Sequence, residues 1–214
     1  MDITQLQATI GPVSGRETTD GQSHAVRMNR NGAFLNAPIS TSFQEAVLRG
    51  RCFTICNVAG ITTQAGLSAT TPALTLYNPA SSGVNAVIWY AGVSFNVVFA
   101  AISTVYVAVG TNTAAAAVTG TLTTTHRNCL LGSTNNPAVT PLLAATLPAA
   151  PVAAAILGQG LTGAVNLLPN SQPLGRWFNG GLILMPGANL SIQTAAASGA
   201  AGTWCEYVWE EVPV

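Results

Sequence analysis

A run of 27 residues without a charged side chain, residues 84–110, most constrains what this chain can fold into. Its middle alternates, because Val93 and Phe95 point one way while Ser94 and Asn96 point the other, and this is the period of a β-strand. Its ends are rich in β-branched and aromatic residues, which fit a pleated sheet better than a helix. The run therefore predicts two long strands buried in an all-β core.

A transmembrane helix is the alternative for the same run, since about 20 apolar residues span a bilayer. Polar residues interrupt the run, no Lys or Arg flanks either end, and no second span is evident in the sequence. The sequence accordingly favours a buried strand pair and predicts no membrane partner.

Charged residues are scarce along the whole chain. They make up 7% of the 214 residues, whereas an average soluble protein has about 25%, so we expect much of the surface to contact protein. The seven basic residues, all Arg, balance seven acidic ones, which predicts no nucleic-acid partner. The remaining apolar surface predicts a symmetric homo-oligomer, with a homotrimer preferred.

The few charges are concentrated at the two ends of the sequence, which divides it into an arm and a body. Residues 1–38 contain Gly, Pro and Asn with little periodicity, as extended arms do. Residues 39–214 form the predicted body. We expect Arg16, Arg27 and Arg30 of the arm to contact acidic or carbonyl groups of a partner. The first residues lack the pattern of a signal peptide, so assembly in a cytoplasm is expected.

Side chains suited to catalysis are few in the body. His126 and Cys129 would lie on opposite faces of a strand, and so would Glu210 and Glu211, which we interpret as solvated charges at a strand edge. The four cysteines are too scattered for a disulfide framework. The two histidines lack ligand spacing. The sequence predicts buried thiols, no metal, no cofactor and no enzymatic activity.

Local patterns predict one helix and several strands. Ser42 and Glu45 have the spacing of a capping box and Gly50 follows as a stop, which predicts about two helical turns. Strands are predicted at residues 51–58, 72–77, 177–185, 189–194 and 203–212. Between residues 129 and 169 the spacing of proline and glycine favours short strands or an extended crossing over a helix.

The end of the chain carries the clearest pattern. Pro186 and Gly187 are predicted to form the turn of a hairpin. In the last strand, alternation buries Trp209 in one core with Leu184 and turns Glu210 to solvent.

Six aromatic residues allow two interpretations. They lie within apolar strands, which favours core packing, and the alternative is that they line a sugar-binding face. The six are Trp89, Tyr90, Trp177, Trp204, Tyr207 and Trp209.

Four segments together resemble small structural proteins of tailed-phage heads. They are EAVLRGRCF (45–53), LYNPASSG (76–83), GGLILMPGANLSIQT (180–194) and YVWEEVP (207–213). The resemblance implies a jelly-roll-like body that sits on the capsid as a decoration or cement protein, often as a trimer. It supplies no catalytic residues and does not extend to residues 1–38.

The sequence thus predicts an antiparallel β-sandwich or jelly roll with an N-terminal arm and one short helix. The expected function is that of a non-enzymatic virion protein that binds the major capsid protein or another virion protein. A receptor-binding or fibre-head module and a major capsid subunit are the alternatives within the virion, and a hydrolase is the alternative outside it.

Overall fold

The computed structural model describes residues 41–96, 99, 101–111, 118–123, 125–160, 174–198 and 200–214. The predicted arm, residues 1–38, lies outside them. The helix predicted at Ser42 is confirmed as α1, Thr41–Leu48. The predicted capping box is wrong, because Ser42 lies inside the helix and Glu45 pairs with Arg49 at 2.7 Å. It ends in a Schellman motif, because Gly50 has a φ of 66°, its amide donates to Val47 O, and the Arg51 amide donates to Ala46 O.

The described strands form two antiparallel sheets, which confirms the predicted sandwich. Sheet I has the order β6-β1-β11-β3-β9 and sheet II the order β5-β7-β2-β10-β4-β8. The strands are β1 Cys52–Cys56, β2 Thr75–Tyr77, β3 Val84–Phe95, β4 Ser103–Thr111, β5 Thr119–Leu122, β6 Arg127–Asn128, β7 Thr140–Thr146, β8 Val152–Gly160, β9 Leu174–Leu184, β10 Ala188–Thr194 and β11 Thr203–Pro213.

The pairing is nested in the manner of a jelly roll. β1 pairs with β11 and β3 with β9 in sheet I, while β2 pairs with β10 and β4 with β8 in sheet II. β11 then joins β3, and β10 joins β4. Eight strands in this order, four in each sheet, make the double Greek key of a jelly roll. β5, β6 and β7 are an insertion between the fourth and fifth of these strands, and they extend both sheets on one side.

Two predicted pairings are wrong. β3 and β4 are both strands, as predicted for residues 84–110, but they belong to different sheets. β9 and β10 are also in different sheets, so Pro186 and Gly187 form an arch between the sheets and not the turn of a hairpin. The connection from β3 to β4 and the connection from β9 to β10 therefore cross from one sheet to the other. Each of these strands pairs with a strand that is distant in sequence. Within the described residues, no helix is long and apolar enough to cross a bilayer.

Asn78 holds the arch against the neighbouring connection. Its side-chain Nδ2 donates to Val84 O at the start of β3 and to Leu184 O at the end of β9, each at 2.8 Å. Its backbone N–H donates to Ala188 O, and its backbone carbonyl accepts from Gly187 N–H. One fully buried side chain therefore fixes two of the crossings between the sheets.

The core lies between the sheets and is filled by inward-facing residues of both. Trp209 is 0% exposed and belongs to one cluster with Leu184 and Val93, which confirms the predicted face of β11. Phe95 packs against that cluster from its margin. The other large buried members are Phe53, Ile55, Leu74, Leu76, Ile88, Val105, Val107, Leu190, Ile192 and Tyr207.

The two free edges on the side away from the insertion are long and irregular. β9 pairs with β3 up to Trp177 and again from Leu182, so four residues of β9 lie opposite Trp89 alone. β8 carries two register shifts along β4. Bulges of this kind interrupt the row of free amides and carbonyls that would otherwise accept another strand.

Ala144 in β7 has a φ of 48°, a left-handed conformation that costs a residue with a Cβ about 1–2 kcal/mol. Glycine removes this strain but adds about 0.5–1 kcal/mol of unfolded-chain entropy. We therefore expect Ala144→Gly to raise the free energy of unfolding by about 0.5–1 kcal/mol in urea titrations. Ala145→Gly, at a fully buried neighbour with φ outside the left-handed region, should lower it; the same sign for both variants would contradict the argument.

Candidate functional site

The predicted partner-contact residues Arg16, Arg27 and Arg30 lie outside the described residues. Their proposed contacts therefore stay a prediction. The functional surfaces that follow come from the compact unit Glu45–Val214 within the body, which contains both sheets.

The carboxylates near the end of the chain hold the fold together. Glu211 accepts hydrogen bonds from the amides of Ala138 and Val139, at 3.0 and 2.9 Å, and from the Trp209 indole at 3.3 Å. Glu210 lies on the opposite face of β11 and pairs with Arg51 at 3.3 Å. The prediction that both are solvated is wrong, since their exposed fractions are 8% and 9%. For each carboxylate, a hydrogen-bonding or charged group of the protein replaces the water that would otherwise solvate it.

The thiols are poor nucleophiles. Burial, with a further contribution from the Glu210 carboxylate, raises the pKa of Cys52 to about 12, and burial raises that of Cys205 to about 12. Burial also raises the pKa of Cys129, which keeps its thiol protonated near neutral pH. No arrangement in the described body thus activates Cys129 by lowering its pKa.

The prediction of buried thiols is wrong for Cys56, which is exposed. Partial burial, followed by the nearby Glu206 charge, raises its pKa. At about pH 8 we expect one thiol per chain to react readily with an aromatic disulfide reagent, with Cys129 slower and the other two reacting after unfolding. The absorbance of the released thiolate gives the rates. Cys56→Ser should remove the fast phase, and its persistence would place the reactive thiol elsewhere.

Metal ligands do not gather in the part of the chain that the structure describes. It contains no group of three or more His, Cys, Asp or Glu side chains placed to hold an ion. A surface pocket of about 290 Å³ lies between Ile61, Pro72, Leu143 and Ala201, and its lining carries no titratable side chain. Neither feature offers a reactive centre.

The outer face of sheet I carries a cluster that we call the aromatic face: Tyr90, Trp177, Trp204 and Glu206 around Gly92 and Gly175. Glu206, Gly92 and Gly175 are directly opposite one another on β11, β3 and β9. Tyr90 and Trp177 form the next pair, with ring centroids 4.9 Å apart and planes inclined by 51°. The Trp177 side chain is left 58% exposed.

The two glycines determine how Tyr90 lies. A Cβ on Gly92 would come within 2.8 Å of the Tyr90 hydroxyl, and one on Gly175 would collide with the same group. The phenol ring therefore lies across both glycines toward β9, with its hydroxyl over Gly175. There the hydroxyl donates to the Glu206 carboxylate, which reaches over Gly92 from β11. Burial, followed by that carboxylate, raises the pKa of Tyr90, so the phenol remains a donor.

The six aromatic residues thus divide between the two interpretations. Tyr207 and Trp209 are fully buried and Trp89 nearly so, as core packing requires. Tyr90, Trp177 and Trp204 lie on the outer face. Alternation in the sequence could not have placed Trp177, because the bulge after it breaks the period of β9. Two glycines in the sequence could have indicated this aromatic pair. Gly92 lies two residues after Tyr90, and Gly175 lies two residues before Trp177.

A second exposed surface, the apolar flank, follows the two bulged edge strands. It consists of Val152 and Ile156 on β8 with Ile183 and Met185 on and after β9, each between 53% and 69% exposed. The two strands meet where Leu174 covers Gly158. Ile183 projects from the outer face of sheet I, opposite Val87, and Ile156 from the outer face of sheet II, opposite Tyr106, so the flank runs around this edge of the sandwich. Exposed large apolar side chains with few charges among them are typical of a surface that contacts protein.

Comparisons with known proteins give no relative from which to carry over a role. No protein-family model, no curated protein and no solved structure matches this chain.

Proposed function

We propose that this protein is a non-enzymatic structural component of a viral particle, a decoration protein that binds the capsid surface. The observation that carries the proposal is the nested eight-strand jelly roll combined with the scarcity of charged residues in the chain. Jelly rolls of this kind recur in virion proteins. The resemblance of four segments to tailed-phage head proteins agrees with it.

The apolar flank supports assembly with other protein chains. A soluble monomer rarely exposes a large contiguous apolar patch, because water contact with such a surface is unfavourable. Since β8 and β9 are bulged, association through the flank would use side chains and not an added strand. A homotrimer on the capsid would bury the flank between its subunits.

A structural role also agrees with the state of the titratable groups. In the described body, the Glu211 carboxylate stabilises a loop, Glu210 pairs with Arg51, and two thiols have pKa values near 12. None is held ready to transfer a proton or attack a substrate at neutral pH.

The test uses particles released by the host that carries this gene, prepared with the gene intact and deleted. We expect the protein to sediment with intact particles in a density gradient at many copies per particle. Negative-stain images of the deletion particles should show complete heads that lack a surface layer, and added purified protein should restore it. A protein that stays in the soluble fraction, or a deletion that leaves no heads, would overturn the assignment as a decoration protein.

A further inference from the structure

The aromatic face is not explained by a purely structural role. Tyr90 is accounted for by packing, because its ring covers two glycines and its hydroxyl has a partner. Trp177 is different, since it is 58% exposed on the outer face of an edge strand and makes its ring contact with Tyr90 alone among the described aromatics. An indole in that position exposes a flat apolar surface to water at a cost in free energy.

We propose that the corner between the Trp177 and Tyr90 rings, bordered by the Glu206 carboxylate, is a binding site for a neutral pyranose of a glycan. The two rings touch, with centroids 4.9 Å apart and planes inclined by 51°, so a ligand would rest on the outward side of the corner and not between the rings. Glu206 Oε1 and the Tyr90 hydroxyl both lie over Gly92, 2.6 and 2.8 Å from where its Cβ would be, so the carboxylate borders the two rings directly.

The chemistry of a pyranose matches each part of the corner. One face of such a ring carries C–H groups, which pack against a flat aromatic surface as other apolar groups do. Its edge carries hydroxyl groups, which need hydrogen-bond acceptors when they leave water. Glu206 is half-buried and accepts from Tyr90, and a carboxylate has further lone pairs for a sugar hydroxyl.

The charge of the site selects among sugars. Glu206 is the acidic group of the corner, and the glycines beside it leave no side chain that could pair with a ligand carboxylate. A sialic or uronic acid would place a second negative charge beside Glu206 and would be repelled. We therefore assign the site to neutral hexoses and N-acetylhexosamines.

The experiment is saturation-transfer NMR on the full-length protein with five probes at millimolar concentration. Four are the methyl glycosides of glucose, galactose, mannose and N-acetylglucosamine, and the fifth is a methyl sialoside. We expect at least one neutral probe to bind, with transfer strongest to the C–H protons of one ring face, and the sialoside to bind more weakly. Trp177→Ala should weaken binding at least about tenfold, because the stacking surface is lost.

Two further variants make the outcome specific. Glu206→Gln should weaken binding roughly threefold or more through loss of the charged acceptor. Leu131→Ala removes an exposed apolar side chain from a loop outside both the aromatic face and the apolar flank and should leave binding unchanged. Absence of transfer to every neutral probe, binding unaffected by Trp177→Ala, or preference for the sialoside would each overturn the proposal. So would a change of oligomeric state in Trp177→Ala, measured by light scattering, since the ring would then be covered by a second copy of the chain.

This site is independent of the role on the capsid. A protein could bind particles without binding sugars, or bind sugars without belonging to a particle, and the two experiments have separate readouts.

Discussion

Replacing Trp209 by alanine is expected to lower the free energy of unfolding by about 3–5 kcal/mol. The side chain is 0% exposed, and its ring centroid lies 5.8 Å from that of Phe53 on the neighbouring strand. Its indole also donates to Glu211, which holds the amides of Ala138 and Val139. The substitution thus leaves a cavity in the core and removes one of the three hydrogen bonds on a buried carboxylate. With a total stability of about 5–15 kcal/mol for a typical domain, a loss of this size is severe.

The control for this prediction is the same substitution at an exposed tryptophan. Trp177→Ala removes an indole that is 58% exposed and stacks on Tyr90 alone among the described rings, so a loss of about 1 kcal/mol or less is expected. Thermal and urea unfolding, followed by circular dichroism, measure both variants. Similar losses would mean that the faces of β11 or of β9 are assigned wrongly.

Asn78→Ala is expected to cost about 2–4 kcal/mol, because it removes a buried amide that donates to two carbonyls, one of which also accepts from the Ser82 hydroxyl at 3.3 Å. These belong to Val84 and Leu184, and each now accepts from Asn78 Nδ2 at 2.8 Å. The backbone hydrogen bonds of residue 78 to Gly187 and Ala188 can persist in the variant. The loss therefore reports on the side-chain amide.

Asn78→Asp makes the prediction sharper. It preserves the shape of the side chain but places carboxylate oxygens against the same two carbonyls, so it should destabilise the protein more than alanine does at neutral pH. Asn136→Ala, at an exposed loop position, should change stability by about 0.5 kcal/mol or less. A mild effect of Asn78→Asp would show that the amide does not hold the two crossings together.

The local elements were predictable because local chemistry determines them. Gly50 ends the helix through a conformation that glycine adopts most easily, and the sequence shows that glycine directly. The alternation from Trp204 to Trp209 identifies the buried face of β11, because it runs unbroken along that strand. The register shift between β11 and β3 is taken up by β3, which has one extra residue, Trp89, at that point. The nested order of the strands was implied by the resemblance to phage head proteins and not by any local pattern.

What the sequence could not supply was the partner of each strand. Pro186 and Gly187 form a tight turn whether the chain returns within one sheet or crosses to the other, so the local signature is the same. The burial of Glu210 and Glu211 depends on Arg51 and on the loop at Ala138, which are distant in sequence. The exposed Trp177 follows from a bulge that depends on pairing with β3.

The position of β11 has a consequence for how the protein is made. This strand lies between β1 and β3 and pairs with both, yet it is the last of the described strands to leave the ribosome. Until then sheet I is split in two, with the inner edges of β1 and β3 open to other chains. Long-range pairings of this kind form slowly, because distant segments must meet before they gain any contact. Sheet I of the nascent protein is therefore expected to remain incomplete until translation of β11 ends. When the protein is expressed at high concentration, aggregation competes with folding during that interval.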